Sequence, residues 1–530
     1  MSVPTSSSTR ESAVHQVLRL PELLKQIFEN VTDHVEEGWR LPRNSQLIRA
    51  ALVCKAFANC TLEVLWEYLP NLEPVLCVLP RDCWNELQLA RRITERDCDR
   101  LSSYRKSVRF IDLEFSNLTF AVDLVRQLAD VFNTAIFPAL RSCNWVNWAE
   151  EIPLSIINYF TTSTLGALNV GISDQEANSV LSILHEANGR CSNIKDLVLR
   201  YSLEIGVELY TVVGGFTELE IVDLPELSTQ VYIELMRRSG PGIRTLSFTR
   251  LGHIDWAAVH LAIGQEKGFR ELQRLDWLGC RLGDITEVQD VLQWFELTKA
   301  PLRHLKISGM EGLVAEEDWE KLFTTIMNGT TGDLEELSLS DHTSHSAHRT
   351  GDVDHRCAVI SCLPLLLELS QLQRLEITSF CGYNIHDADI HLMARSFPNL
   401  VNLHLRHGRS SARRLTGSIP TINCLVHFVD HCPLLESLSL SFDATIPITV
   451  KYKQTLSSSR LFCLDVGYSP VRSRSRSVRI MADLLERLFP NISTLFCDED
   501  VLYDDPSTWS RVEELMKKRK SAREGALFWW

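Results

Sequence analysis

The sequence predicts an α/β fold, a curved parallel sheet with helices on its outer side, preceded by a small all-α module. Three observations predict it. One apolar phrase recurs along most of the chain, helix-compatible stretches lie between its copies, and the first part of the chain carries a separate helical pattern. The phrase is apolar-x-x-apolar-x-apolar, most often with leucine. Its copies begin at Val108, Leu140, Leu165, Ile194, Leu219, Ile243, Leu272, Leu302, Leu334, Leu372, Leu400, Leu435, Leu461 and Ile492.

The spacing of these copies indicates a stacked repeat array. Successive copies start about 24 to 38 residues apart, which is typical of leucine-rich repeats with some insertions. One such unit cannot bury its own apolar face, so about 14 of them must stack into a solenoid, predicted over residues 108–498. Stretches such as Val180–Asn188 and Gln289–Thr298 suit the helices between the strands. A solenoid offers a long binding surface and usually no catalytic pocket.

Size and composition narrow the functional class. At 530 residues the chain is too long for one ordinary core unless it is a repeat array. Apolar residues make up 45% and charged residues 23%, as in ordinary soluble proteins. The net charge of −14 argues against nucleic acid as a partner, because a nucleic-acid-binding protein needs a basic footprint.

The sequence also predicts where the protein resides. No stretch approaches the roughly 18 apolar residues of a membrane span, and the Ser/Thr-rich start lacks the apolar stretch of a signal peptide. The 15 cysteines are scattered and several occupy apolar positions of the repeats. We therefore expect reduced thiols, no membrane partner and a cytoplasmic and/or nuclear location.

The segment before the repeats has its own organisation. Residues 1–17 are polar and without periodicity, so we expect disorder there. Residues 18–80 carry three short amphipathic helical patterns, the first with Pro21 in its opening turn, where a missing N–H is tolerated. Three short helices bury little by themselves and need a partner or the next domain. Residues 81–107 are predicted to be linker helices.

The end of the chain is predicted to cover the last repeat. Residues 499–530 contain a helical stretch, Pro506–Lys520, with Asp504 and Asp505 at its start and basic residues at its end. This charge distribution suits the helix dipole. Such a C-terminal cap helix and tail would shield the apolar end of the array, as repeat proteins require.

Residues 18–80 resemble an F-box, in the form found in fungal F-box-like proteins with leucine-rich repeats. The resemblance depends on Leu20-Pro21-Glu22-Leu23-Leu24 with Ile27-Phe28, then Leu52-Val53-Cys54-Lys55-Ala56-Phe57, then Leu62, Leu65-Trp66 and Leu72-Glu73-Pro74. One feature departs from the compact motif. The connector around residues 32–46 is about a dozen residues longer than usual.

The resemblance implies a non-catalytic substrate receptor of a Skp–cullin–F-box ubiquitin ligase. The F-box would bind a Skp-type adaptor and through it a cullin–RING ligase, while the repeats would bind a protein target; no cofactor, metal, nucleic acid or membrane is implied. The predicted adaptor-binding residues are Leu20, Pro21, Leu23, Leu24, Ile27, Phe28, Val53, Cys54 and Phe57. The alternative for each of them is that it holds the three helices together. Trp66 is predicted to belong to the core.

The repeat phrase also predicts a binding face. Its apolar residues point inward, so the residue between the last two of them faces the concave surface of the sheet. This ladder reads Asp112, Asn144, Asn169, Val198, Asp223, Ser247, Asp276, Lys306, Ser338, Glu376, His404, Ser439, Asp465 and Phe496. It is mixed and mildly acidic, and a solvated face explains most of it. The candidate target-binding residues are Asp223, Asp276, Lys306, Glu376, His404 and Asp465.

Two further segments carry weaker signals. A His/Asp-rich stretch over residues 341–355 contains metal-ligand types, but its spacing matches no closed site and favours a polar loop. Arg472–Ser477 is a basic, Ser-rich loop in which phosphorylation would reverse the local charge, although a solvated loop is the simpler interpretation. No phosphate-binding glycine loop, paired Cys-x-x-Cys pattern or Gly-x-Ser-x-Gly elbow is present. The alternatives to a ligase receptor are a repeat scaffold without a ligase role and, third, an enzyme built on a solenoid.

Overall fold

The computed structural model describes residues 20–30, 33–34, 40–41, 44–85, 88–114, 119–147, 154–172, 177–191, 193–200, 212–238, 242–251, 254–263, 269–278, 301–310, 316–330, 332–341, 360–379, 383–407, 419–447, 460–497 and 507–527. The chain forms two compact units, Met1–Pro225 with Gln230–Ser239, and Glu226–Thr229 with Gly240–Trp530. None of the helices in these ranges has the length and apolar character needed to cross a bilayer.

The first unit opens with the small helical module. Its elements are α1 (Pro21–Glu29), the antiparallel pair β1 (Asp33–His34) and β2 (Arg40–Leu41), α2 (Asn44–Ala51), α3 (Lys55–Glu67), β3 (Tyr68–Leu69) and α4 (Glu73–Val78). Helix α1 begins with Pro21 at its first position, as the sequence predicts, and the Leu24 amide donates to the Leu20 carbonyl at 3.0 Å. The predicted disorder of residues 1–17 lies outside the described residues.

The segment after the module differs from the sequence prediction. It holds a 3-10 helix (Arg81–Cys83), the antiparallel pair β4 (Trp84–Asn85) and β5 (Gln88–Leu89), a second 3-10 helix (Glu95–Cys98) and α5 (Asp99–Tyr104). Residues predicted to be helical around Trp84 therefore form a hairpin. Arg91 fixes this bend, because its guanidinium bonds Asp82 at 2.8 Å and Asp97 at 2.7 Å.

The rest of the first unit repeats a strand followed by a helix. Its elements are β6 (Phe110–Glu114), α6 (Thr119–Phe132), β7 (Ser142–Asn147), a 3-10 helix (Leu154–Tyr159), β8 (Ala167–Ile172), α7 (Ala177–Arg190), β9 (Asp196–Arg200), β10 (Ile221–Leu227) and α8 (Thr229–Arg238). Each strand from β6 to β10 pairs in parallel with the next. Helix α7 covers the predicted helical stretch 180–188.

The second unit continues the same alternation. Its elements are β11 (Thr245–Leu251), α9 (Trp256–Ile263), β12 (Arg274–Trp277), β13 (His304–Met310), α10 (Glu316–Gly329), β14 (Glu336–Asp341), a 3-10 helix (Leu363–Glu368), β15 (Arg374–Ser379), α11 (Asp387–Ser396), β16 (Asn402–His407), α12 (Cys424–His431), β17 (Ser437–Leu440), β18 (Cys463–Asp465), α13 (Ser475–Leu488), β19 (Thr494–Phe496) and α14 (Ser507–Leu527). Neighbouring strands from β11 to β19 pair in parallel. The predicted helix at 289–298 lies outside the described residues.

The apolar phrase explains the strands from β6 to β19. In the copy that begins at Leu400, the first leucine lies just before β16, and Leu403 and Leu405 project inward from the strand. All three side chains are at most 1% exposed. The amides of Val401 and Asn402 both donate to the carbonyl of Gln373 one repeat earlier, at 2.7 and 3.0 Å. Equivalent paired bonds recur in most of the other repeats. An α/β fold built on parallel strands is therefore confirmed.

A further buried position precedes the phrase by three residues and was not predicted. It is often phenylalanine, and these side chains are at most 1% exposed at Phe137, Phe216, Phe269, Phe397 and Phe489. Each lies where the chain turns from the outer layer towards a strand, and the following leucine or isoleucine amide bonds its carbonyl in several repeats, as at Leu400. The repeat motif therefore includes a buried aromatic position three residues before its first leucine, which leucine spacing alone does not reveal.

Several cysteines are buried at the apolar positions of the repeats that the sequence assigns to them. No disulfide links those in the described part of the chain. Several sit at inward positions of the repeats, such as Cys143 on β7, where burial raises the thiol pKa to about 12. A thiol so far from ionisation serves as a small apolar filler.

Candidate functional site

The helical module has a small core of its own. Leu24, Phe28, Leu47, Cys60 and Val64 form one buried cluster that joins α1, α2 and α3. Phe57 is half-buried against it, with its ring edge-on to Phe28 at a centroid distance of 5.4 Å. Of the predicted adaptor-binding residues, Leu24, Phe28 and Phe57 therefore hold the helices together, which is the alternative function considered for the set.

The other predicted adaptor-binding residues lie at the surface. Leu20, Leu23 and Ile27 follow one another along α1 at helical spacing and are 48%, 36% and 44% exposed. Val53 is 68% exposed, and Pro21 and Cys54 are also exposed. The structure adds two residues that the set omitted, Ile48 at 51% and Leu52 at 81%. Leu20, Leu23, Ile27, Ile48, Leu52 and Val53 are called the exposed apolar set below.

Ile48 carried a signal that sequence reasoning missed. Leu47 and Ile48 are neighbours on one helix turn, so a single core-facing stripe cannot bury both. The structure buries Leu47 completely and leaves Ile48 half exposed. Adjacent large apolar residues on a short helix thus indicate two apolar faces, one buried in the core and one left exposed.

A short strand joins the module to the repeats. Tyr68 and Leu69 form β3, which pairs in parallel with β6 through the partners Phe110 and Ile111. The sequence predicts only helical patterns in residues 18–80, so this strand was not predicted. Helix α3 ends at Glu67 because Pro70 follows, and the residue before a proline is driven towards extended backbone.

Two aromatic residues strengthen this junction. Trp66 is 8% exposed and stacks on Tyr104 with ring centroids 4.8 Å apart, so its predicted place in the core is confirmed. The Tyr68 hydroxyl donates to the Asp112 carboxylate at 3.4 Å. Burial, together with that carboxylate, raises the pKa of Tyr68 to about 12. The third helix of the module therefore runs directly into the sheet.

The predicted ladder is in register within each unit. In the first unit Asp112 faces Asn144, Asn144 faces Asn169, and Val198 lies between Asn169 and Asp223. In the second unit the register runs through Ser247, Asp276, Lys306, Ser338, Glu376, His404, Ser439, Asp465 and Phe496. We call this side of the sheet the ladder face.

Two aspartates of the ladder face have arginine neighbours that offset their negative charge. Asp276 is only 9% exposed and accepts a hydrogen bond from Arg274 Nε at 2.9 Å. Asp465 accepts from Ser439 Oγ at 2.9 Å and lies 3.7 Å from Arg406. Its carboxylates are therefore compensated by neighbours on the same face.

The remaining candidate target-binding residues lie on the same face with different partners. Glu376 accepts a hydrogen bond from Ser338 at 3.3 Å, and Asp223 lies 3.9 Å from Arg200. Lys306 forms no ion pair with any residue in the described ranges. It is half-buried in the register between Asp276 and Ser338, and it is a basic residue on this face open to an acidic group of a target.

His404 is a residue of the ladder face whose pKa differs clearly from its ordinary value. Its Nε2 lies 2.9 Å from Ser437 Oγ. Burial lowers the pKa of His404 below its ordinary value, and the nearby Arg406 adds to the effect. A neutral imidazole here can donate or accept one hydrogen bond from a bound peptide without a charge to desolvate.

Metal binding finds no site in the described part of the chain. Among those residues no group of three or more His, Cys, Asp or Glu side chains could hold a metal ion. The His/Asp-rich stretch lies outside the described residues from position 342 to 355.

Comparison with known proteins gives little. No protein-family model matches this sequence, and no curated protein is similar to it. Among solved structures, the complex of Rad7 and Elc1 in yeast is similar at 12% sequence identity and a TM-score of 0.39, covering 87% of this chain and 95% of that chain. The function of the chain has to be inferred from its own residues.

Proposed function

We propose that this chain is the substrate receptor of a Skp–cullin–F-box ubiquitin ligase and is itself non-catalytic. The helical module, residues 18–80, binds a Skp-type adaptor and through it a cullin–RING ligase. The repeat region holds a protein target for ubiquitination. The observation that carries the proposal is the exposed apolar set on a module that already has a buried core.

The exposed apolar set calls for a protein partner. Its six side chains are between 36% and 81% exposed and all fall within residues 20–53. Covering one large aliphatic side chain fully is worth roughly 1.5–3 kcal/mol, so a partner that covers several gains a large driving force. Short amphipathic helices with apolar residues at i, i+3 and i+7 are the form that helix-lined grooves bind. The F-box resemblance implies that the groove for these helices belongs to a Skp-type adaptor.

The ladder face supports a protein target. Its charges are mixed in sign, with Lys306 beside Asp276 in the register, so it lacks the continuous basic surface that nucleic acid requires. Its side chains stand on paired strands and many are already hydrogen-bonded, which fixes their positions before binding. A surface of this kind suits an extended peptide segment with both basic and acidic residues.

The adaptor half of the proposal is tested with the full-length chain. Ile27→Asp combined with Leu52→Asp places two charges in the exposed apolar set without touching the core. We expect affinity for a purified Skp-type adaptor to fall by roughly 100-fold or more, since two buried apolar contacts are lost. Isothermal titration or surface plasmon resonance measures this.

A matched pair controls for charge and apolar loss. Leu261→Asp with Leu392→Asp changes two leucines of the repeat helices that are 90% and 46% exposed. These changes should leave adaptor affinity and melting temperature as in the wild type. Unchanged affinity of the folded Ile27/Leu52 variant would overturn adaptor docking through this set. An adaptor complex that recruits no cullin on co-purification would instead favour the repeat scaffold without a ligase role.

A further inference from the structure

The beginning of helix α13 combines positive charge with an uncapped N-terminus. Residues 472–479 read Arg-Ser-Arg-Ser-Arg-Ser-Val-Arg. The N-cap residue is Arg474, whose side chain makes no capping hydrogen bond, and the first turn contains no acidic residue. The N-terminal turn of a helix has unpaired N–H groups and partial positive charge, so it favours an anion. Arginines stand here instead.

The arginines of this segment lack ionic partners among the residues that the structure describes. Arg472, Arg474, Arg476 and Arg479 are all exposed, and none forms an ion pair with a described residue. Elsewhere in the second unit, exposed arginines such as Arg303 and Arg244 lie 3.0 and 3.4 Å from carboxylates. Four uncompensated cations within eight residues repel one another and the helix dipole.

A fifth arginine reaches this place from another helix. Arg511 of α14 donates through Nη1 to the Ser473 carbonyl at 3.2 Å and through Nη2 to Ser475 Oγ at 3.3 Å. Helix α14 is anchored near this point because Trp509 and Val512 are buried, and the Trp509 indole donates to the Ser469 carbonyl at 2.8 Å. The Ser475 hydroxyl thus lies between the start of α13 and a guanidinium of α14.

We propose that Ser475 is a phosphorylation site and that its phosphate clamps α14 to the start of α13. The modifying enzyme is of the class of serine kinases with an acidic substrate groove, which select arginines ahead of the serine, here Arg472 and Arg474. The side chain of Ser475 is exposed, and the backbone of Arg474 before it is extended. This proposal is independent of adaptor and target binding.

The reaction is an ordinary phosphoryl transfer. Ser475 Oγ forms a bond to the γ-phosphorus of magnesium-bound ATP, and the bond from that phosphorus to the β,γ-bridging oxygen breaks. ADP leaves, and the hydroxyl proton passes to the catalytic base of the kinase. No oxidant or further reactant is needed.

The phosphate would meet three needs of this site at once. It carries a charge of about −1.5 to −2 and three strong acceptor oxygens. Those oxygens can accept from the unpaired N–H groups of the first turn and from both arms of Arg511. They also offset the exposed arginines. Ser477 is less suited because it is half-buried within the turn, whereas the exposed Ser475 Oγ already accepts a hydrogen bond from Arg511.

The test uses the full-length protein, an arginine-directed serine kinase and magnesium ATP. Mass spectrometry locates the phosphate, and hydrogen–deuterium exchange follows the amides of residues 509–516. We expect phosphate on Ser475 and exchange slowed about two- to fivefold, the range expected for a favourable charge at a helix end. Ser475→Ala should abolish both effects, whereas Ser477→Ala should retain them.

Arg511→Gln separates the clamp from the modification. This variant should still take up phosphate on Ser475 but should show no slowing of exchange in residues 509–516. The proposal is overturned if phosphate enters mainly at Ser473 or Ser477, or if none enters. It is also overturned if exchange is unchanged by phosphate, or if the slowing persists in Arg511→Gln.

Discussion

The helical module and the repeats treat apolar residues in opposite ways. In the repeat that begins at Leu400, all three apolar residues of the phrase are at most 1% exposed, because strands on both sides cover them. In the module, Leu24 is 1% exposed while its neighbour Leu23 is 36% exposed, and Leu52 reaches 81%. Stacking lets each repeat complete the core of the next. Among the described residues, none covers the exposed apolar side chains of the three short helices, and this exposure is the basis of the proposed adaptor site.

The largest expected effect lies in the repeats. Leu403→Ala removes a side chain that is 0% exposed, and the surrounding strands have little freedom to fill the space. We expect a loss of about 2–5 kcal/mol in the free energy of unfolding of the region around β16, as for buried leucines in general. Urea unfolding followed by tryptophan fluorescence measures the change.

The neighbouring residue on the ladder face provides the control. His404→Ala at neutral pH removes one hydrogen bond and no core volume, so its cost should be clearly smaller than that of Leu403→Ala. The reverse order would mean that the strand presents its other face to the core, a register error of one residue.

A smaller effect is expected in the module, between two adjacent leucines. Leu24→Ala opens a space in the cluster with Phe28 and Leu47 and should cost about 2–3 kcal/mol, towards the lower end because a small module relaxes more easily. Leu23→Ala should change stability by less than about 0.5 kcal/mol. Native-state hydrogen exchange of residues 21–29 tests both. Equal destabilisation would show that the module has one apolar face rather than two.

The smallest effect concerns pH and the ladder face. Since the pKa of His404 is lowered in the folded chain by burial and by Arg406, the unfolded chain binds this proton more readily. Its neutral form contributes fully to stability above the unfolded value of about 6.5, and the contribution is lost as the pH falls below that value. The melting temperature should therefore fall less on acidification in His404→Gln than in the wild type, by at most a few degrees. Identical pH profiles would contradict the role of His404.

The sequence predicted the strands well because inward positions of a repeat obey one rule throughout. Leucine spacing alone places Leu403 inward and His404 outward. The complete burial of Leu403 and the place of His404 in the ladder between Glu376 and Ser439 confirm both. Strand β3 was missed because two residues carry no periodicity. Only its pairing with β6 makes Tyr68 and Leu69 a strand.

The apolar residues of α1 were predictable as a group, but which of them are buried and which are exposed was not. Helical spacing puts Leu20, Leu23, Leu24 and Ile27 on one broad apolar side of α1, yet it does not tell which part of that side the module covers itself. The pairing of opposite charges on the ladder face was easier to predict from the sequence. Arg274 is two residues before Asp276, so both project from the same side of β12 and can pair.

The pairing of β3 with β6 has a mechanical consequence. Strand β3 directly follows the third helix of the module and is hydrogen-bonded to β6 of the repeats, so within the first unit no flexible linker separates them. In a ligase, a target held on these repeats would be presented at a set distance from the adaptor, and its local concentration near the ubiquitin donor would depend on geometry rather than on tether length. Lysines of the target that lie within reach of the ubiquitin donor at this set distance would be modified, and lysines elsewhere on the target would not.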